Sequence, residues 1–287
     1  MNYLNNEYCM RKFTVILVLS ICVWGGYASM RSENGPGANS SQNKSKKSEI
    51  VLCTWNLAHY FAYGTWKSVI DGPIYDSKLK SFREIVYDSI HADLISLNEY
   101  SSLFGIDKDS VKHMSSEVLF DGYNSWIEGG ATKKGVGHNA IYSNVRMGNF
   151  QKHIFEYNKT TKYVSSHDYY YISADMFVGG QLVKFVCVYL IYATKDTSLV
   201  QNQIAELIEK YKDEKRVVMC GDFNTTDYSK LKIAGYSLAN NGSFKTYYKE
   251  KWALDNIVAK GVKISDVRIV KTELSDHYPL ICHISIK

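Results

Sequence analysis

Proline and one-sided charge are both scarce in this chain of 287 residues, which has 3 prolines and 34 basic residues against 29 acidic ones. The 19 glycines and the 45% of hydrophobic residues exclude a collagenous, wholly disordered or coiled-coil chain. A net charge of +5 permits an anionic ligand but does not indicate a protein that coats nucleic acid. A chain of this length buries enough surface to fold without a disulfide framework. The composition therefore predicts an ordinary globular protein.

Only one long apolar run is present, and it lies near the N-terminus. Two basic residues precede the run 13–24, and small residues follow it, as in a secretory signal. The run is short for a spanning helix of about 20 residues. We predict a signal peptide over residues 1–28 and a secreted or cell-envelope protein, with an uncleaved anchor or lipidation at Cys22 as alternatives. The Ser-, Asn-, Gly- and Lys-rich residues 29–48 predict a flexible linker, which leaves residues 49–287 as one domain.

Cysteine gives no sign of a zinc site, because C-x-x-C spacing is absent. Four cysteines lie beyond the predicted leader, each in an apolar run typical of a strand: Cys53, Cys187, Cys220 and Cys282. Free cysteine behaves as a small hydrophobic side chain, so we expect all four to be buried. A disulfide between neighbouring strands stays open as an alternative, because an exported protein meets oxidising conditions.

Short apolar runs alternate with two amphipathic segments along the rest of the chain. Apolar residues at helical spacing predict helices over Ser77–His91 and Ser198–Lys212. Gly179-Gly180 separates two β-rich runs and predicts a hairpin of Tyr169–Val178 with Leu182–Leu190. The other predicted strands are Ile50–Thr54, Ala92–Leu97, Tyr123–Ile127, Asn139–Ser143, Arg216–Cys220, Asp255–Ala259, Val267–Val270 and Leu280–Ile286. This pattern favours one α/β domain with helices packed on sheet faces.

Five polar clusters follow or interrupt these strands. They are Thr54-Trp-Asn-Leu57, Ser96-Leu-Asn-Glu-Tyr100, Gly221-Asp-Phe-Asn224, Leu254-Asp-Asn-Ile257 and Ser275-Asp-His-Tyr-Pro279. Each cluster alone is a weak signal, since Gly-Asp-x-Asn is often only a turn. Carboxylates beside an apolar core are costly unless they are paired or bound to a metal. Strands that bring Asp, Glu, Asn and His to one edge therefore predict an oxygen-rich site for Mg²⁺ or Mn²⁺ beside one imidazole.

In this order the five clusters resemble the motifs of the endonuclease/exonuclease/phosphatase superfamily, which has the deoxyribonuclease I-like fold. The resemblance covers residues 49–287 and implies an α/β four-layer sandwich, in which two packed mixed β-sheets are flanked by helices. It also implies a metal-dependent hydrolase that cleaves phosphate ester bonds with an activated water. Carried over residue by residue, it makes Glu99 the principal metal ligand, with Asn56 close to it and Asp276 as a further ligand.

The same resemblance implies catalytic roles for several side chains. Asp222 would orient or deprotonate the attacking water, and Asn224 would donate a hydrogen bond to the scissile phosphate. His277, paired with Asp255, would act as an acid or base or would stabilise charge in the transition state. A carboxylate behind the imidazole of His277 would fix its tautomer and raise its pKa.

Three positions depart from the common pattern of the superfamily. Asn98 stands where many members carry Gln, which shortens a side chain that could brace the ligand Glu99. Tyr189 stands where many members carry His. Tyrosine there, with Trp252 ahead of Asp255, resembles the abasic-site endonuclease branch, in which the tyrosine contacts the phosphate. The alternative is that both aromatic residues only pack in a sheet. Ala253 in place of Arg, and the absence of Lys after Glu99, argue against a DNA-repair enzyme.

The leading functional hypothesis is an exported, divalent-metal-dependent phosphodiesterase that acts as a nuclease on DNA or RNA. The basic and aromatic stretch 152–171 suits a nucleic-acid strand, although such stretches also form plain solvated faces. A phosphatase or a sphingomyelinase-like phospholipase C, acting on inositol phosphates or phospholipids, is the alternative. For a lipid substrate, Tyr169–Tyr171 would have to point outward. A catalytically silent binding module is the third hypothesis, and the chain is expected to be a monomer with no protein partner inferred.

Overall fold

Two mixed six-stranded sheets form the centre of the fold. The computed structural model describes residues 47–58, 77, 80–100, 103–105, 111–113, 122–128, 138–156, 169–192 and 197–286. The predicted leader and nearly all of the predicted linker therefore lie outside the described residues. Within the described ranges, no helix is both long and apolar enough to cross a membrane.

The first sheet contains six strands from both ends of the domain. They are β1 (Glu49–Asn56), β2 (Leu94–Tyr100), β5 (Asn124–Glu128), β6 (His138–Ser143), β13 (Val262–Ile269) and β14 (Leu280–Ile286), and the short strands β3 (Leu103–Gly105) and β4 (Val111–His113) form a separate pair. The order across the sheet is β13-β14-β1-β2-β6-β5. β1 and β2 are parallel, and the other neighbours are antiparallel.

The second sheet repeats this arrangement around another parallel pair. Its strands are β7 (Met147–Ile154), β8 (Tyr170–Val178), β9 (Gln181–Tyr189), β10 (Val217–Asp222), β11 (Ser237–Leu238) and β12 (Asp255–Lys260). The order is β11-β12-β10-β9-β8-β7, with β9 and β10 parallel. The predicted hairpin is confirmed, because β8 and β9 pair antiparallel up to Val178 and Gln181 around the two glycines.

Three apolar clusters hold four layers together. Inward side chains such as Leu52 and Phe185 fill the space between the sheets. Helical residues 80–84 continue into α1 (Ile85–Ile90), which covers the outer face of the first sheet. The helices α2 (Ser198–Lys210) and α3 (Ser229–Ile233) cover the second sheet. The four-layer sandwich inferred from the sequence is therefore confirmed.

The structure differs from the predicted elements where the backbone breaks regular periodicity. α1 is wound as a π-helix, and the His91 N–H, five residues on, donates to the Val86 carbonyl at 3.1 Å. β13 begins at Val262, five residues earlier than predicted, because a bulge between Ser265 and Arg268 reverses which side chains face inward. β7 was not predicted, and a similar irregularity at Gly148 and Gln151 interrupts its alternation.

All four cysteines of the described chain are buried and free. Cys187 and Cys220 are register partners on the parallel strands β9 and β10. Burial raises the pKa of the Cys187 thiol to about 12, which keeps it protonated and unreactive. The expectation of small buried side chains is confirmed, and the structure does not contain the alternative disulfide between these residues.

Candidate active site

The strand directions bring the predicted side chains to one edge of the sandwich. Asn56 ends β1, and Glu99 lies near the end of the parallel strand β2, so both belong to the first sheet. Asp222 ends β10 in the second sheet, and its register partner on antiparallel β12 is Asp255. His277 lies in the loop that leads into β14, beside the end of β1. Residues that are far apart in the sequence thus meet at one rim.

Asn56 links the carboxylates of the two sheets. Its Nδ2 donates to Glu99 Oε1 at 3.1 Å and to Asp222 Oδ2 at 3.0 Å. Because both hydrogen bonds start at the same nitrogen, the two carboxylates lie within the sum of these lengths. The Asn56 Oδ1 accepts a hydrogen bond from the Ala58 N–H at 2.8 Å. The predicted role of Asn56 as a metal ligand stays a prediction, while the structure shows it bridging two carboxylates.

Glu99 is held in an unusual position by its backbone and by Tyr189. Its φ of 48° lies in the left-handed region, and the pairing of β2 with β6 shifts register between Leu97 and Tyr100. Such backbone strain in a non-glycine residue is common at functional sites. Tyr189 Oη donates to Glu99 Oε1 at 2.8 Å. Tyr189 therefore does more than pack in the sheet, and its hydroxyl orients the Glu99 carboxylate.

Asn98 fastens the two sheets together directly beneath this rim. Its Nδ2 donates to Asn139 Oδ1 and to the Val188 carbonyl, both at 2.9 Å, and its Oδ1 accepts from the Asp222 N–H at 3.0 Å. The side chain is fully buried. The sequence comparison suggested that Asn98 is a shortened brace for Glu99. The structure instead gives it three partners that fix Asp222 and β9.

Close approach of two backbones makes glycine necessary at position 221. Gly221 has a φ of 145°, and a Cβ built there would lie 1.9 Å from the carbonyl oxygen of Val188. Glycine tolerates both the dihedral angle and the contact, because it has no side chain. This close approach places Asp222 beside Tyr189, the last residue of β9.

Asp222 and Asn224 form a tight turn at the end of β10. The Asn224 N–H donates to Asp222 Oδ1 at 2.8 Å, and Asn224 Nδ2 donates to the Leu190 carbonyl at 2.8 Å. Asn224 has a φ of 49°, which this turn requires. Burial, followed by the negative charge of Asp255, raises the pKa of Asp222 well above that of an exposed carboxyl.

His277 and Asp255 form a buried pair next to Asp222. The His277 Nδ1 lies 2.7 Å from Asp255 Oδ2. Burial by itself would lower the pKa of His277, but the charge and hydrogen bond of Asp255 outweigh it and raise the pKa to about 10. The stability gained from this pairing is therefore present below pH 6.5 and is lost as the pH rises through about 10. Near neutral pH the imidazole carries a positive charge.

The loop that carries His277 is latched to the end of β1. Ser275 Oγ donates to the Asn56 carbonyl at 2.6 Å, and the His277 N–H donates to Ser275 Oγ at 3.0 Å. The Trp55 indole N–H donates to the His277 carbonyl at 2.9 Å. These contacts were not predicted, although Ser275 belongs to the Ser-Asp-His cluster. They hold the imidazole in place relative to Asn56.

The site is rich in groups that could hold a metal ion. Among the described residues, Asp222, Asp255 and His277 offer ligand atoms within 4.8 Å of one another. Asp276 Oδ1 lies 4.0 Å from His277 Nε2, on the side away from Asp255. The structure therefore gathers all eight predicted residues near one rim. The predicted division into ligands (Glu99, Asn56 and Asp276) and catalytic groups (His277, Asp222, Asn224, Asp255 and Tyr189) stays a prediction.

The chain matches known proteins in its fold and not in its sequence. No family model matches the chain, and no curated protein matches it. The endonuclease/exonuclease/phosphatase from Bacteroides vulgatus is 14% identical with a TM-score of 0.60, over 84% of this chain and 100% of that one. The human Nocturnin catalytic domain with bound sulfate anion is 14% identical with a TM-score of 0.59, over 85% and 96%. D. rerio TDP2 complexed with single strand DNA product is 14% identical with a TM-score of 0.57, over 83% and 100%.

At such low identity the likeness establishes the architecture. The chain has the deoxyribonuclease I-like fold found in endonuclease/exonuclease/phosphatase proteins. The fold inferred from the five polar clusters is therefore confirmed. The five clusters lie at the carboxyl ends of the central parallel strands or next to those ends.

We predict that Asn98→Ala destabilises the protein by about 3 kcal/mol or more, because it leaves the Asp222 N–H and two buried acceptors without partners. Urea unfolding of wild type and variant measures the free energy of unfolding. Asn241→Ala is the matched control, since Asn241 is exposed and, among the described residues, its side chain bonds to Ser243. Equal losses in the two variants would contradict the role of Asn98.

We also predict that Asp255→Asn lowers the pKa of His277 from about 10 towards or below 6.5, because burial then acts without the charge of Asp255. NMR titration of the imidazole nitrogens in the presence of EDTA measures this pKa, and a spectrum of His277→Ala assigns the signals. Asp266→Asn is the control, because Asp266 is exposed and lies beside His283 instead. An unchanged pKa in Asp255→Asn would show that Asp255 does not set it.

Proposed function

We propose that this chain is a divalent-metal-dependent phosphodiesterase that hydrolyses nucleic acid. The observation that carries the proposal is the convergence of Asn56 and Glu99 from one sheet with Asp222 and Asp255 from the other, beside His277. Three carboxylates and one protonated imidazole form a site that is suited to a phosphate group only if further positive charge is present. The fold of nuclease-like proteins is consistent with this chemistry.

The residues present fit a hard divalent cation. Asp255 Oδ1 is buried without a hydrogen-bond partner, and burial, followed by the negative charge of Asp255, raises the pKa of Asp222. Carboxylate oxygens are the ligands that Mg²⁺ and Mn²⁺ prefer. Glu99 and Asp276 would hold the cation, and the Asp222 side of the rim offers further oxygens. When bound, such a cation offsets the charge that develops on a phosphate under attack by water.

Asp222 and Asn224 are placed to prepare the attack. Both Asp222 oxygens already accept one hydrogen bond each, from Asn56 and Asn224, and each oxygen can accept another. A water bound there would lie next to the Asp222 carboxylate, which can accept its proton because its pKa is raised. Asn224 Nδ2 donates one hydrogen to the Leu190 carbonyl and carries a second that can bond a phosphate oxygen.

His277 supplies fixed positive charge on the other side of the same rim. Asp255 holds the imidazole through Nδ1, so Nε2 is the atom that can donate to a phosphate oxygen or leaving group. Because Asp255 is fully buried, the orientation of the ring is constrained. General acid help from a positioned group typically contributes about 10²–10⁴-fold to the rate.

Nucleic acid is favoured over phospholipid as the substrate. Tyr170 and Tyr171, which would have to point outward in a membrane-binding hairpin, are instead 4% and 3% exposed. A structural neighbour, TDP2, has been solved with a single strand DNA product. The retention of every predicted polar group at the rim, with partners that orient it, supports an active enzyme over a silent binding module.

We predict that the purified full chain cleaves DNA or RNA with Mg²⁺ or Mn²⁺ and that EDTA abolishes the cleavage. Glu99→Gln, Asp222→Asn and His277→Ala should each lower kcat/KM by about 10² or more. Counterparts outside the rim serve as matched controls: Glu209→Gln, Asp213→Asn and His283→Ala. Sphingomyelin and inositol phosphates complete the substrate panel. Turnover of those compounds alone would refute the nuclease, and EDTA-resistant cleavage would refute the metal.

We infer also that residues 1–28 direct export, because they combine a basic start, the apolar run 13–24 and small residues after it. Expression of the full chain in a secreting host should yield an extracytoplasmic protein that begins near residue 29. N-terminal sequencing of the purified protein measures this directly. A chain that keeps Met1 and stays in the cytoplasm would overturn the inference.

A further inference from the structure

A short hairpin forms one wall of the site, and its residues have no role in the reaction proposed above. We call residues Tyr247–Trp252 the rim hairpin. Tyr247 N–H donates to the Trp252 carbonyl at 3.0 Å, and Trp252 N–H donates back to the Tyr247 carbonyl at 3.1 Å. At its tip lie Lys249, Glu250 and Lys251, all exposed. The hairpin therefore combines two aromatic rings at its base with a charged tip.

The rim hairpin is fixed to the loop that carries His277. Tyr248 N–H donates to the Asp276 carbonyl at 3.3 Å, and Tyr278 N–H donates to the Thr246 carbonyl at 2.8 Å. The rings of Tyr248 and Tyr278 stack with centroids 4.8 Å apart and planes 15° apart. The hairpin is thus a built part of the rim, and whatever binds on it is held at a set distance from His277.

Aromatic rings lead from His277 out to solvent. The Tyr247 ring lies 4.9 Å from the His277 ring, and the Trp252 ring lies 6.2 Å from Tyr247. Trp252 is 40% exposed, although burial of an indole ring in the core would be favourable. Tyr192, which is 54% exposed, is hydrogen-bonded through its backbone to the Tyr169 side chain, and the Tyr169 ring lies 6.0 Å from the Tyr189 ring at the rim. Of these two exposed aromatic side chains, Trp252 lies on the His277 side of the rim and Tyr192 lies on the Tyr189 side.

We propose that this aromatic surface, formed by Trp252, Tyr247 and Tyr192, stacks an unpaired nucleobase next to the scissile phosphate. The proposal rests on the proposed function and adds to it a substrate class, which is single-stranded or locally unpaired nucleic acid. A base stacks on an aromatic side chain through its flat face, and in a duplex that face is covered by neighbouring bases. Lys249, at the tip of the rim hairpin, has its Nζ 3.6 Å from Asp276 Oδ2 in the neighbouring loop. Its positive charge would lie along the phosphate backbone.

The charge of the hairpin argues against insertion into a membrane. Lys249, Glu250 and Lys251 occupy the tip, so the part that would enter a bilayer first carries three charges. Trp252 and Tyr247 lie at the base, on the side of His277. Rings in that position can contact a group bound in the cleft, while they are poorly placed to reach a lipid interior.

The test compares two oligonucleotides with the same phosphates, one of natural thymidines and one of abasic tetrahydrofuran units. Binding of the full chain is measured by fluorescence anisotropy in EDTA, and kcat and KM are measured with Mg²⁺. Trp252→Ala and Tyr192→Ala should weaken binding of the thymidine strand by about 5- to 150-fold and leave the abasic strand nearly unchanged. Trp252→Phe should keep most of the binding, because it keeps a ring.

Ile233→Ala is the control, since Ile233 is 86% exposed on α3, outside the rim hairpin. Equal losses of binding to both oligonucleotides, or no loss of binding to either, would overturn the stacking role. Loss of binding only to phosphatidylcholine–sphingomyelin vesicles would overturn it in favour of a membrane contact. A base preference without any cleavage would support stacking and refute the nuclease. Cleavage without a base preference would do the reverse.

Discussion

Charge that is removed from water must be balanced by nearby partners, and this constraint shapes the whole rim. Asp222 and Asp255 are buried register partners, and their repulsion is offset by the His277 imidazole and by amide N–H groups. Asn56 donates its amide N–H to Asp222 from the opposite sheet, the Asn224 N–H donates to the other Asp222 oxygen, and Asn98 accepts from the Asp222 N–H. If either sheet moved, buried carboxylates would lose partners. The polar edge therefore fixes the relative position of the two sheets, while the apolar layer between them supplies most of the burial.

The same constraint explains why the site tolerates strained backbone. Glu99, Asn224 and Gly221 all have positive φ. Glu99 carries one carboxylate of the rim, and Gly221 and Asn224 lie on either side of Asp222, which carries another. Regular strands alternate their side chains between faces, so a carboxylate can be turned to the edge only where the strand is distorted. Hydrogen bonds from Tyr189 to Glu99 and from Asn224 to the Leu190 carbonyl hold the strained residues in place. The cost in backbone energy is offset by hydrogen bonds to groups that would otherwise be unsatisfied.

Local sequence was sufficient for elements with regular periodicity. The strand Leu280–Ile286 has the predicted ends, and the predicted helix from Ser198 ends two residues early, at Lys210. Periodicity failed at β13, where the bulge at Ser265 moves the apolar residues from even to odd positions. It failed again at the π-helical turn of α1, because hydrogen bonds spanning five residues are not encoded in a 3.6-residue pattern. Strand irregularity and helix type depend on neighbours that are distant in the chain.

At the site, the order of residues was sufficient to show which polar groups were available and where the strands end. Carboxylates and amides directly follow apolar runs there, and such groups are costly to bury without partners. Together with the resemblance of the five clusters to a known superfamily, this was enough to predict the fold class and the site residues from Asn56 to His277. Which atoms pair depended on how the two sheets pack against each other. That packing set Asn56 between Glu99 and Asp222, gave Asn98 to Asp222 instead of Glu99, and placed Tyr247 over His277. These contacts join residues up to 166 positions apart in the chain. The packing of the sheets sets their geometry, so no pattern of neighbouring residues can reveal it.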